Sequence, residues 1–136
     1  MSYAVSAALQ AAIFQQLSSD AALVALVGAN IFDAPPTGTP PATYVSLGEE
    51  RVSDRSDMTG AGALHDLTVS VITEEDGFQV AKSVAAVISD SLAQPLPALT
   101  RGVVVSLNFL KARARRDGNG TLRRIDMKFR ARVQDI

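Results

Sequence analysis

The sequence of 136 residues has no cysteine, no tryptophan and one histidine, His65. Without thiols there is neither a disulfide framework nor a thiolate metal site, and a reducing cytoplasm suits the chain. No run approaches the roughly 20 apolar residues that span a bilayer, so a soluble protein without membrane contact is expected. Met1 to Phe14 is apolar, but no Lys or Arg precedes it and Gln10, Gln15 and Gln16 interrupt it. It reads as a helix of the mature protein and not as a signal peptide.

Aromatic residues are scarce as well, at 5% against an apolar total of 47%, so the core must be built mainly from Ala, Val and Leu. A chain of this length can bury such a core without metal or disulfide help, and residues 1–136 are expected to form a single domain. Mean hydropathy of +0.16 is high for a soluble monomer, and burial in subunit contacts is one explanation.

Charge is divided along the chain. Residues 1–100 hold three basic side chains against eleven acidic ones, a net of −8, whereas residues 101–136 hold ten against three, a net of +7. Such a molecule can pair its own faces or pair head to tail with copies of itself. It matches a simple nucleic-acid binder less well, because that class is usually basic overall.

The basic part has the clearest pattern. Val103 to Arg116 and Thr121 to Val133 read as two long strands joined by Asp117-Gly118-Asn119-Gly120, residue types that accept positive φ. In the second strand Ile125, Met127, Phe129, Ala131 and Val133 alternate with Arg124, Asp126, Lys128, Arg130 and Arg132, a period of two. In the first, Val103, Val105, Leu107 and Phe109 share a parity that continues as Lys111, Arg113 and Arg115. Its beginning is expected to be buried and its end to project.

Upstream, Val5, Leu9, Ile13 and Leu17, with Ala8 and Ala12, mark a helix from Tyr3 to Leu17. Asp20 is placed to cap a short helix, Ala21 to Val27, which Gly28 ends. A brief strand at Ile31 and Phe32 precedes the surface loop Pro35 to Pro41. Thr43 to Leu47 reads as a strand ending at Gly48, and Glu49 to Ala63 as a loop without a clear period, a length that is uncommon in a compact domain unless the loop is functional. A strand follows from about Leu64 to Thr73, then the acidic turn Glu74-Glu75-Asp76-Gly77, and a helix from Phe78 to Leu92 that Pro95 and Pro97 stop. These elements define an α+β fold: a single antiparallel sheet of about four to five strands, two main helices on one face, and a long C-terminal β-hairpin.

Catalytic and metal-binding patterns are incomplete in this sequence. His65 and Asp66 would sit on opposite faces of a strand, so they do not make a base and its orienter. No serine lies in a Gly-x-Ser-x-Gly elbow. Asp117 to Thr121 resembles the start of a calcium loop, but Leu122 and Lys128 stand where Gly and Glu are needed. Gly60-Ala61-Gly62 lacks the lysine of a phosphate loop. No enzyme, cofactor or metal is expected.

The basic residues Arg113, Arg115, Arg116, Arg123, Arg124, Lys128, Arg130 and Arg132 have three readings: a solvated face, a contact with an acidic surface of another subunit, or a phosphate contact. Asp54, Asp57, Glu74 and Glu75 are the acidic candidates for the second reading, which the acidic first hundred residues favour. The rival is a small nucleic-acid-binding module using the basic hairpin.

Taken together, Ala8-Leu9-Gln10-Ala11-Ala12-Ile13-Phe14, Asp20 to Gly28 with Ile31-Phe32-Asp33, Tyr44-Val45-Ser46-Leu47-Gly48-Glu49, and Arg116-Asp117-Gly118-Asn119-Gly120 leading into Met127-Lys128-Phe129-Arg130-Ala131 resemble the tail-terminator or tail-completion family of long-tailed phages, prophages and gene transfer agents. The resemblance spans nearly the whole chain and rests on the order and spacing of segments. It implies a structural subunit, assembled in the bacterial cytoplasm, that forms a ring of six at the head-tail junction. Its partners would be its own copies, the tail tube protein and a head-completion or stopper protein, with DNA only in transit through the lumen and no catalytic residues.

Overall fold

The computed structural model describes residues 3–34, 37–56 and 60–136. Pro35 and Pro36 of the proline-rich segment, and the candidate contact residue Asp57, lie outside them.

One five-stranded sheet carries three α-helices. The strands are β1 (Ile31–Phe32), β2 (Thr43–Asp54), β3 (Ala61–Thr73), β4 (Val103–Asp117) and β5 (Leu122–Asp135), and the helices α1 (Ser6–Ser18), α2 (Ala21–Val27) and α3 (Gln79–Leu92). Strand order is β1-β2-β3-β5-β4. The α+β class, the helices over one face and the hairpin are as expected from sequence. The sheet is mixed and not purely antiparallel, because β1 runs parallel to β2 through the pairs Ile31↔Val45 and Phe32↔Ser46. The physical reason is the length of the connection: residues 33–42 allow the chain to come back to the starting level of β1 before β2 begins, whereas every other neighbouring pair is antiparallel.

The core follows the apolar stripes. Val5, Leu9, Ile13 and Leu17 of the α1 stripe and Ala81, Val84, Ile88 and Leu92 of α3 are all buried, over Val69 and Val71 of β3 and Ile125, Met127 and Phe129 of β5. Asp20 caps α2 by accepting from the Leu23 amide at 3.1 Å. Gln16 of α1 donates to the Ser91 carbonyl of α3 at 3.0 Å, tying the two helices together. At the hairpin turn Gly118, Asn119 and Gly120 have φ of 57°, 59° and 85°, which explains the run of Gly and Asn there.

Two expectations are corrected. Glu49 to Ala63 is not an irregular loop: β2 continues to Asp54 and β3 begins at Ala61. The alternation is lost because the β2–β3 register shifts between Leu47 and Glu50, and because this half of β2 is a solvent-facing edge with polar side chains in both directions. Nor is the beginning of β4 buried, for no residue of that strand is. Register shifts between Val104 and Ser106 and between Phe109 and Lys111 break the parity. Val104, Leu107, Phe109, Ala112 and Ala114 therefore share the helix-side face, but β4 lies at the margin of the cover that α3 gives to β3 and β5, and only Val104 and Leu107 of these pack against the core.

Candidate functional site

The face of the sheet away from the helices is bare, and the period of two in β5 places Arg124, Asp126, Lys128, Arg130 and Arg132 on it. Arg113 and Arg115 of β4 join them opposite Asp126 and Arg124. The row is not a set of free cations. Arg130 grips Asp66 of β3 through two bonds, Nε to Oδ1 at 2.8 Å and Nη2 to Oδ2 at 3.0 Å. Arg124 Nε and Ser70 Oγ both donate to Asp126 Oδ1, at 2.8 and 2.6 Å, and Arg115 reaches Asp126 Oδ2 at 3.5 Å.

These contacts set the carboxylates' protonation. The Arg130 hydrogen bonds hold the Asp66 carboxyl below its ordinary range. Burial alone would raise Asp126, but the Ser70 and Arg124 bonds outweigh it and the net shift is downward. Among the described residues Lys111, Arg113, Lys128 and Arg132, together with Arg51 of β2, enter no ion pair, so they are positive charges this face offers outward.

Two of the candidate cations lie elsewhere. Arg116 and Arg123 are paired on the helix side at the hairpin end; the Arg123 guanidinium stands 5.8 Å from the centre of the Phe78 ring and donates to the Gly120 carbonyl at 2.8 Å. The acidic candidates do not form one patch. Asp54 ends β2 and accepts from the Ser56 amide and hydroxyl at 3.1 and 2.6 Å. Glu74 and Glu75 lie at the other end of the sheet, where the Glu74 amide bonds the Ala42 carbonyl at 2.9 Å.

What the sequence did not reveal is the apolar character of the β4 edge. Val103, Val105, Phe109 and Leu110 are exposed, and Val105 and Leu110 are the extra residues of the two register shifts. The run Val103-Val104-Val105 and the adjacent pair Phe109-Leu110 were the available signal, since consecutive large apolar residues cannot all share one face of a regular strand. A groove of about 530 Å³ runs beside the start of this strand, lined by Leu96, Pro97 and Leu99 together with Val103 and Val105.

His65 belongs to the interior. It is fully buried, its Nδ1 lies 3.1 Å from Glu50 Oε2, and its Nε2 is enclosed without a partner among the described residues. The β2 register shift turns Glu50 to the helix side, where Oε1 also accepts from Tyr3 Oη and Ser6 Oγ, both at 2.7 Å. Burial opposes ionisation of Glu50, yet these hydrogen bonds prevail and its pKa is lowered. The cluster pins the start of α1 to β2 and β3, which is a structural task.

A test follows from this cluster. Glu50→Gln presents an amide N–H₂ to one of its three partners, and the His65 tautomer that would accept it carries a buried, unpartnered Nε2–H. A loss of about 1–3 kcal/mol is expected in denaturant unfolding at neutral pH. Because the folded-state pKa is depressed, the stabilisation from ionised Glu50 is present above the ordinary carboxylate range, near pH 4, and disappears as pH falls through the folded value. Unfolding curves of wild type and Glu50→Gln should therefore converge in acid; a constant gap down to the acid limit would show that ionised Glu50 is not what stabilises this corner.

Among the described residues no three His, Cys, Asp or Glu side chains gather into a metal-holding group. What the surface does present is a charged sheet face without helices and an edge strand with exposed apolar residues.

Comparison with known proteins gives the chain a class. Residues 11–134 match the family described as Tail completion protein gp17. A chain in the solved structure "Virion of native gene transfer agent (GTA) particle" is 56% identical, with a TM-score of 0.92 over 98% of this chain and 99% of that one. No curated protein matches. The chain is thus of the virion structural class, with a role in the tail. It belongs to the Tail completion protein gp17 family.

Proposed function

We propose that this chain, acting as one domain, forms a ring of six copies at the head-proximal end of a tail tube, closing tube growth and joining the tube to head-completion proteins, with DNA passing through the lumen. Its assembly would take place in the bacterial cytoplasm and its place would be the head-tail junction. The observation that carries this reading is the 56% identity, along essentially the full length of both chains, to a component of a gene transfer agent virion. The division of charge supports it, because a cyclic ring joins two different patches of successive copies and opposite charges favour that pairing.

The cations available to such a contact differ from those named by sequence alone. Reversing Arg124 or Arg130 would first break pairs within the chain, so the informative reversals are Arg113→Glu and Arg132→Glu, which disturb no ion pair among the described residues. Particles assembled without this protein should show tails of uncontrolled length or tails separated from heads by electron microscopy. Tails of normal length, firmly attached to heads in its absence, would rule the proposal out. The rival reading, a nucleic-acid module using the open cations, requires DNA affinity that falls steeply with salt.

A further inference from the structure

The sheet ends in two open edges. Among the described residues, β4 on one side has no partner beyond β5, and on the other β1 pairs with only Val45 and Ser46 of β2. The stretch of β2 from Leu47 to Ser53 therefore has no strand on its outer side among the described residues. A long bare edge is a template for another strand, and proteins that are to remain single cover it or load it with charge. Here β4 does the opposite over part of its length, exposing Val105, Phe109 and Leu110.

The two edges correspond in level. Across the sheet, Val104 aligns through Val133 and Ala63 with Asp54, and Ala112 aligns through Met127 and Val69 with Leu47. The apolar length of β4 thus stands at the same height as the uncovered length of β2. They also correspond in direction: β2, β3, β5 and β4 are four successive antiparallel strands, so the two outer ones run oppositely. Setting β4 of one copy beside β2 of another continues the alternation, in the more stable antiparallel pairing.

Charge agrees with this placement. The hairpin half of β4 carries Lys111, Arg113, Arg115 and Arg116, while the far edge has Glu49 beside the register shift and Glu74 bonded next to Ala42 at the start of β2. An antiparallel pair of two β4 edges would set the cationic half of each against the apolar half of the other and would lack the opposite charges that the β2 edge supplies.

We propose that β4 of each copy pairs edge to edge with the Leu47–Ser53 length of β2 in the next copy, making one continuous sheet around the assembly. This deepens the ring reading given above and rests on it. The register shifts at Val105 and Leu110 interrupt the edge, so pairing falls on the segments between and beyond them. The occupant is a second copy of this chain. All helices then lie on one side of the closed sheet and the charged face on the other. With strands about 4.8 Å apart, six copies of four strands give a sheet about 115 Å around, and thus about 37 Å across before strand tilt widens it.

The test uses two variants, each altering one edge: Val105→Lys with Leu110→Lys on β4, and Glu49→Lys with Ser53→Lys on β2. All four positions are exposed, and circular dichroism melts close to wild type confirm folding. By native mass spectrometry wild type should form rings and each variant alone should remain single. Mixed in equal amounts, the variants share one intact pair of edges and should form a dimer of one of each and nothing larger. Rings formed by either variant alone, or a mixture that yields no mixed dimer, overturn the edge pairing.

Hydrogen exchange on the unaltered chain gives a second readout that does not depend on the variants folding. Amides of residues 106–109 and 50–53 should both slow on assembly, and continued fast exchange of either stretch in the ring overturns the proposal. A wild-type chain that stays single at every concentration and inside the particle removes the ring and the pairing together. A wild-type ring that survives both variants removes the pairing alone.

Discussion

Phe129→Ala is expected to lower the free energy of unfolding by about 3–5 kcal/mol, read as a loss of roughly 10–20 °C in melting temperature. Phe129 is 2% exposed on β5, between β3 and β4. Of the chain's five phenylalanines it is the one that is buried, and there is no tryptophan, so few other side chains are wide enough to fill the space it leaves. It also supports the edge strand: the Phe109 ring meets it at 73° with centroids 5.8 Å apart. Phe109→Ala removes an exposed ring and should cost far less, on the order of the 0.5–1.5 kcal/mol of an aromatic pair. Combining the two changes should give less than the sum of the single losses by a similar amount, since the pair can be lost only once. Strict additivity would mean that the two rings do not support each other.

Gly102→Ala should cost about 2–4 kcal/mol for two separate reasons. Gly102 has a φ of +76°, where an L side chain is strained, and a Cβ there would lie 2.7 Å from the Gln134 carbonyl oxygen and 2.8 Å from Val5 Cγ2. Neither neighbour yields easily, because one is the backbone of β5 and the other a fully buried side chain of the turn into α1. The position is where the chain enters β4, so displacement there should loosen the start of the edge strand before the hairpin end. Hydrogen exchange should accelerate first at Val103 to Leu107. Equal acceleration along the whole of β4 would show that Gly102 does not anchor this end.

The parts of the fold legible in the sequence are those where one physical signal dominates. In α1 and α3 every third or fourth residue faces the core, and β5 alternates without a break because one face is packed and the other is wet. The turn at Gly118 to Gly120 could be read because three successive positive φ angles admit few residue types. Signals failed where two demands overlapped. The second half of β2 is an edge with a register shift, so its polar residues look like a loop. In β4 two extra residues change the facing of everything after them, and the expected buried beginning became an exposed one.

The charged residues show the same limit. Sequence placed Arg124, Lys128, Arg130 and Arg132 on one face, but it could not show which of them would be engaged within the chain. Asp66 and Asp126 take up Arg130 and Arg124 because β3 lies beside β5, and no local pattern reports which strands become neighbours. Asp66 and Arg130 stand 64 positions apart.

Strand β1 is two residues long, and its brevity has a consequence for engineering. Because it stops at Phe32, it shields the Val45–Ser46 end of β2 and leaves the rest bare. A chain altered so that residues after Phe32 kept pace with β2 for one more turn of the pleat would sheathe that border. Segment length between 33 and 42 is thus a dial on how sociable this side of the molecule can be, and it can be turned without touching a single core side chain.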